Sequence, residues 1–253
     1  MCSTYNFSGS LALVTGAGSG MGRAVARLLA EAGATVIAAD INADGAAETV
    51  RGLKGGKDHI AFRVDVSSEK SVKELAAFIS SKYGRCPSIV IHAAGIVVRG
   101  DHDSVFEIEF EEIERVIDVN LKGTFLIDKT FGQWMRNDKI EHGSIVNFSS
   151  AAGRSGVPFV ADYCASKAGV NSLTESFGKE LAAYGIRVNA VAPFYISTPL
   201  LAAFPKEKIE ERVNLCPSKR IGDPDEVARV CLFLASRDSS FINAQIVHIT
   251  GGF

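Results

Sequence analysis

A doubly wound α/β domain, a single parallel sheet of seven strands with helices on both faces, is the fold class the sequence predicts. Two observations carry it. Short apolar runs alternate with amphipathic stretches from one end of the chain to the other. The short runs are also continuous rather than alternating in hydrophobicity, as strands covered on both faces must be. No repeat, low-complexity segment or linker interrupts the pattern, so one domain over residues 1–253 is expected, and 47% hydrophobic residues suffice for its core.

In order, the expected strands are Leu11–Thr15, Thr35–Ala39, Ile60–Val64, Ile89–His92, Ser144–Phe148, Arg187–Val191 and Ile246–Ile249, each short and apolar, many β-branched. Between them Met21–Glu31, Glu69–Tyr83, Phe110–Trp134, Cys164–Tyr184 and Pro224–Ala235 are expected helices. In the fourth, Val170, Leu173, Phe177 and Leu181 recur at helical spacing. Gly52–Lys57 is expected as a surface loop. Residues 198–217, weak in sheet pattern and bracketed by prolines, are expected to form either a substrate lid or an ordinary helical excursion.

A formal net charge of −2 leaves no electrostatic footprint for nucleic acid or an anionic membrane. No apolar run reaches the roughly 18 residues that a membrane span needs. Five scattered cysteines (Cys2, Cys86, Cys164, Cys216, Cys231) with no C-x-x-C predict a reduced, intracellular protein without a metal site. Met1–Gly22 contains no Lys or Arg, so no secretory or transit signal is evident.

After the first strand stands Gly16-Ala17-Gly18-Ser19-Gly20-Met21-Gly22, a G-x-x-x-G-x-G turn rather than G-x-G-x-x-G. Glycines there permit a tight strand-to-helix turn and let backbone approach a pyrophosphate, which the helix N-terminus attracts. Asp40, eighteen residues past Gly22, ends the second strand. A carboxylate there accepts from ribose hydroxyls and repels a 2′-phosphate, and the neighbouring Ser19 and Ile41 bring no positive charge, so NAD is expected over NADP.

With Tyr163-Cys164-Ala165-Ser166-Lys167 added, the chain resembles the classical short-chain dehydrogenase/reductase family from about Leu11 to Gly252. The likeness extends through Asp65-Val66, Ala93-Ala94-Gly95, Val119–Gly123, Ile145–Ser150, Val188–Pro193 and Gly222–Ala228. It implies a Rossmann-type sheet and tetramers. Within the family the chain is most similar to the group holding type 8 17β-hydroxysteroid dehydrogenases and 3-oxoacyl-thioester reductases. That group implies a homotetramer or a heterotetramer with a related reductase, in the mitochondrial matrix or the cytoplasm.

Tyr163 and Lys167, four residues apart, share one helix face. A phenol of pKa near 10 needs help to act at neutral pH, and a neighbouring ammonium together with an oxidised nicotinamide is expected to move it toward that range. The resemblance implies Tyr163 as the proton donor and acceptor. Lys167 would hold the nicotinamide ribose, Ser150 (thirteen residues before Tyr163) the reacting oxygen, and Asn120 a relay water. Ser149 is then structural. Asp65 and Val66 are implied at the adenine, Ala93, Ala94 and Gly95 at the backbone of the coenzyme, and Pro193, Ile196 and Thr198 at the carboxamide side.

Two departures stand out. His92-Ala93-Ala94-Gly95 replaces the family's Asn-Asn-Ala-Gly, and His92 is assigned no chemical role. Phe194 replaces a glycine after Pro193; it either narrows the nicotinamide site or swings away into a pocket wall. Substrate-facing positions are expected within Ala151–Asp162 and Phe194–Pro217, where Phe159, Phe194, Tyr195 and Phe204 make an apolar, lipid-accepting region. The expected activity is NAD-dependent interconversion of a secondary alcohol and a ketone, on 3-hydroxyacyl/3-oxoacyl thioesters or a 17β-hydroxysteroid. A sugar or polyol dehydrogenase and a non-catalytic NAD-binding protein are the alternatives.

Overall fold

The computed structural model describes residues 5–55, 58–98 and 104–253. Seven strands, β1 (Leu11–Thr15), β2 (Thr35–Asp40), β3 (Ile60–Arg63), β4 (Ile89–His92), β5 (Gly143–Phe148), β6 (Ile186–Pro193) and β7 (Ile246–Ile249), form one sheet in the order β3-β2-β1-β4-β5-β6-β7. Every pairing is parallel. The order reverses between β1 and β4, so a crevice opens beyond the carboxyl ends of these two strands.

Register explains the two cores. Leu13, Val90, Ile145 and Val188 stand side by side and pack beneath α3 (Glu69–Tyr83), α5 (Gly123–Asn137) and α6 (Ala161–Leu181). Val14, Ile91 and Val146 form the opposite face, under α1 (Gly20–Glu31) and α8 (Pro224–Ala235). The central strands β1, β4, β5 and β6 therefore bury both faces, whereas the edge strands β3 and β7 are only partly covered.

Two parts of the chain differ from the sequence expectation. Residues Ala43–Gly52 form a helix, α2, where none was expected, started by an Asn42 cap that accepts from the Gly45 N–H. Gly52 thus closes a helix rather than opening a loop, and Gly56 and Lys57 lie outside the described residues, as does Cys2. The expected helix Phe110–Trp134 is divided into α4 (Phe110–Ile117), a π-helical turn (Asp118–Lys122) and α5. Residues 198–217 contain a 3-10 turn at Leu201–Ala203 and α7 (Lys206–Leu215), a helical excursion beside the crevice. Among the described residues no helix is long and apolar enough to cross a membrane, and no His/Cys/Asp/Glu cluster suits a metal ion.

Candidate active site

The glycine turn is packed against the end of β4. Gly16 has φ +66°, and a Cβ there would lie 2.6 Å from the Ala94 nitrogen. At Gly22 a Cβ would fall 2.1 Å from the Gly16 carbonyl oxygen, so helix α1 approaches its own turn as only glycine allows. Whereas Asn42, Ser68 and Asp223 cap α2, α3 and α8 with side-chain oxygens, α1 has no side-chain cap and no acid in its first turn. Its leading N–H groups are left for an anion.

A cleft of about 1210 Å³ runs along this turn. Of the sequence-expected coenzyme residues, Gly16, Ser19, Gly20, Met21, Gly22, Asp40, Ile41, Asp65, Val66, Ala93, Ala94, Gly95 and Thr198 line it. Val119, from the motif Val119–Gly123, also lines it, as do Val64, Ser67, Ile96, Arg115 and Pro199, which no motif singled out. They arrive from strand ends and from α4, which only the tertiary packing brings together. Asp40 is held in place by the N–H groups of Gly18 (2.8 Å) and Asn42 (2.9 Å). The nearby Arg23 is engaged with the Gly18 carbonyl and Glu48. A cleft of this shape, glycine-lined at an uncapped helix start with a fixed carboxylate at one end, fits a dinucleotide.

Met21 and Thr198 also line a second cavity of about 890 Å³ and so stand between it and the first. Its floor holds Ser149, Ser150 and Tyr163, and Pro193 and Ile196 lie here rather than in the dinucleotide cleft. Its walls are Val97, Ala151, Ala152, Val157, Val160, Leu200, Leu201 and Phe204, with Phe194, Tyr195 and Phe253, and among the described residues no charged side chain lines it. Val97, Met21 and Phe253 are outside the sequence windows expected to meet substrate. Phe159, inside one of them, does not line the cavity; its backbone is left-handed (φ +72°) and Lys208 Nζ sits 5.4 Å from its ring centroid.

Ser150 precedes a 3-10 turn and its Oγ accepts from the Ala152 N–H at 3.2 Å, which aims the hydroxyl from the end of β5. Tyr163 is half-buried at the edge of the cavity, where it hydrogen-bonds with Ser150. Burial pushes the phenol pKa up and the Ser150 hydrogen bond pulls it down, with the rise prevailing. The expected lowering combines the Lys167 ammonium with an oxidised nicotinamide; the protein's own groups leave the phenol above its ordinary value.

Lys167 is buried, its Nζ donating to the Phe148 carbonyl at 2.7 Å and lying 5.7 Å from the Tyr163 ring centroid. Burial lowers its pKa to about 8. A Cβ on Gly95 would stand 3.2 Å from this Nζ and 3.3 Å from Asn120 Oδ1, so the glycine keeps both groups within reach of the cleft. Asn120 Oδ1 accepts from the Ile96 N–H and its Nδ2 donates to the Ile96 carbonyl, both at 2.8 Å. These two bonds tie the π-helical turn to the strand end and account for its position, since a π turn places an inward residue that a regular helix would rotate away. Ser149 Oγ donates to the Lys167 carbonyl at 3.2 Å, the structural part expected of it.

Under these groups lies a polar layer. Thr15, His92 and Asn147 are register neighbours on β1, β4 and β5. Thr15 Oγ1 is 2.7 Å from His92 Nδ1, and Asn147 Nδ2 donates to Asp128 Oδ2 (2.8 Å) and Thr174 Oγ1 (3.2 Å). All five residues are buried. Burial, aided by the Lys167 charge, lowers the His92 pKa to about 3, so the imidazole is neutral. Burial raises that of Asp128 to about 7 against the pull of the Asn147 bond. His92 Nε2, Asn147 Oδ1 and Asp128 Oδ1 have no partner among the described residues.

Over residues 16–253 the chain matches a family model described as enoyl-(acyl carrier protein) reductase. It is 41% identical over 251 residues to a (3R)-3-hydroxyacyl-CoA dehydrogenase of Homo sapiens, covering 96% of this chain and 95% of that protein. It is 40% identical over 248 residues to a 3-oxoacyl-[acyl-carrier-protein] reductase of Thermotoga maritima, covering 96% and 97%. The crystal structure of a 3-ketoacyl-(acyl-carrier-protein) reductase from Brucella melitensis complexed with NADH superposes with a TM-score of 0.89 at 32% identity, covering 98% of this chain and 99% of that one.

Proposed function

Because this chain belongs to the short-chain dehydrogenase/reductase family, we propose that it interconverts 3-hydroxyacyl and 3-oxoacyl thioesters with NAD as its coenzyme. It is an oxidoreductase acting on CH–OH groups. The observation that carries the proposal is the adjacency of two cavities: the dinucleotide cleft shares Met21 and Thr198 with an apolar cavity that Ser150 and Tyr163 also line.

In oxidation Ser150 donates a hydrogen bond to the substrate oxygen while Tyr163, as phenolate, takes its proton; reduction runs the transfer backwards. The nicotinamide, when bound, accepts or supplies the hydride, and its oxidised form brings the positive charge that the buried phenol lacks. Lys167 adds its ammonium, and a pKa near 8 lets it give or regain a proton close to neutral pH. Asn120 fixes the strand end beside Lys167, where a relay water would be held.

Asp40 supports NAD. Its carboxylate is anchored by two backbone N–H groups and lines the cleft, so a 2′-phosphate would meet a negative charge there; Arg23 is already paired with Glu48, and Arg63 on β3 is the register neighbour of Asp40. The lack of charge around the second cavity favours an acyl chain over a sugar or polyol. Exposed Phe106, Phe110 and Phe241 suit an assembled oligomer, with a tetramer the expected form.

The test is an NADH-absorbance assay over 3-hydroxyacyl thioesters, 17β-hydroxysteroids and polyols, with NAD and NADP compared. Thioesters with NAD should give the highest kcat/KM, and Tyr163→Phe should reduce it by about 10²–10⁴-fold while the NAD Kd stays within a few-fold. Equal or better kcat/KM with NADP, or full activity in Tyr163→Phe, would refute the respective part.

A further inference from the structure

Phe194 stands where the family has a glycine, and its ring is neither loose nor turned toward the dinucleotide cleft. Its N–H donates to the Ile249 carbonyl at 3.0 Å, fixing the backbone beside the end of β7. On one side the ring stacks on Tyr195, with centroids 4.6 Å apart and planes 21° from parallel. On the other it stacks on Phe253, at 4.1 Å and 16°. All three rings line the apolar cavity above Ser150 and Tyr163.

Phe253 reaches this place because of the two residues before it. Gly251 and Gly252 have φ of +63° and +99°, a left-handed pair that turns the chain back after β7. A Cβ on Gly251 would be 2.3 Å from Ser218 Oγ, and one on Gly252 would be 3.1 Å from the Pro217 ring. The turn is further clamped by the Ser218 N–H, which donates to the Gly251 carbonyl at 3.1 Å, and by Cys216 Sγ, which donates to the Thr250 carbonyl at 3.2 Å. The aromatic stack is thus braced against the segment that follows α7, while Leu200, Leu201 and Phe204, in the segment before α7, form another wall of the same cavity.

We propose that Phe253 is a specificity-determining residue: by holding the Phe194 ring flat against Tyr195 it builds a rigid wall that limits the length of the acyl chain the cavity takes. The proposal rests on the acyl-thioester reading above. Stacked rings have few rotamers to lose and pack well, so such a wall does not yield to a longer chain as aliphatic side chains would. Each methylene that fits or fails to fit an apolar pocket changes kcat/KM by about 10-fold or more, so the wall's position sets a steep cut-off.

The experiment measures kcat/KM of the purified full chain for 3-hydroxyacyl-CoA substrates of four, eight, twelve and sixteen carbons, for wild type, Phe253→Ala and Phe253→Leu. The wild type should fall off steeply with length. Phe253→Ala should raise the ratio of twelve-carbon to four-carbon kcat/KM at least 10-fold, and Phe253→Leu should fall between, because it keeps bulk but not the stack. An unchanged ratio in both variants, within about twofold, overturns the proposal. So does a wild type with no fall-off up to sixteen carbons. If the wild type turns over none of the thioesters, the acyl-thioester reading itself fails, a result distinct from an unchanged length profile. Circular dichroism confirms the fold of each variant; should Phe253→Ala not fold, the Leu variant alone decides, since any rise below twofold counts against the wall.

Discussion

Replacing Asp128 by asparagine removes a titrating group from the polar layer while keeping its size and one donor and one acceptor. Asp128 and His92 pull the stability of this protein in opposite directions with pH. The folded Asp128 pKa is raised to about 7 from 3.8, so between about pH 4 and pH 7 the folded state holds a proton that the unfolded chain has lost. Its stabilising contribution is present below pH 4 and is lost as pH rises to 7, at about 1.4 kcal/mol per pH unit and about 4 kcal/mol in all. The folded His92 pKa is lowered to about 3 from 6.5, so there the unfolded chain binds the extra proton, and stability rises with pH over that interval. Between about pH 4 and 6.5 the two slopes nearly cancel. Asp128 Oδ2 accepts from Asn147 on β5, which also donates to Thr174 on α6; Lys167, on α6, acts on His92 rather than on Asp128.

In Asp128→Asn the opposing slope disappears. Urea unfolding of wild type and variant at half-unit steps from pH 4 to 8 gives the difference in stability, in which all other groups drop out. That difference should move in favour of the variant by about 4 kcal/mol between pH 4 and 8, with most of the change complete by pH 7. A difference that stays flat over this range means that Asp128 ionises as an ordinary carboxylate, and the reasoning from its burial is wrong. An infrared band of a protonated carboxyl, present in wild type at pH 5 and absent in Asp128→Asn, is the independent check.

Gly22→Ala places a Cβ 2.1 Å from the Gly16 carbonyl oxygen, backbone against backbone, so it should cost about 3 kcal/mol or more in urea unfolding and abolish NAD binding by calorimetry. Gly95→Ala meets only the ends of two side chains, Lys167 Nζ at 3.2 Å and Asn120 Oδ1 at 3.3 Å. It should therefore fold normally by circular dichroism yet lower kcat about 10-fold by displacing the lysine; unchanged kcat would show that Lys167 tolerates the shift.

The central strands were readable because they bury both faces, so Leu11–Thr15 and Ile89–His92 are short, mainly apolar runs. Helix α2 was not, because its ten residues Ala43–Gly52 bury only Gly45, Ala46 and Thr49, so no large apolar side chain marks a helical stripe; it packs against β2 and β3. The π-helical turn was hidden for a related reason. Periodicity over Phe110–Trp134 is helical throughout, and only the two bonds from Asn120 to the Ile96 backbone add the extra residue per turn.

The candidate site divides along the same line. From local pattern alone came the glycine turn, the carboxylate at the end of β2, and the Tyr163–Lys167 pair on one face of α6, because each depends on spacing within one element. Contacts between elements distant in sequence decided the rest: where Arg115 and Ile96 join the dinucleotide cleft, how Phe253 captures the Phe194 ring, and that His92 and Asp128 share a layer sealed from water. The physical reason is that spacing along a chain fixes direction within a helix or strand, whereas desolvation and close approach belong to the assembled fold. The rise in the Tyr163 pKa, opposite to what its lysine neighbour alone implies, is a consequence of that burial.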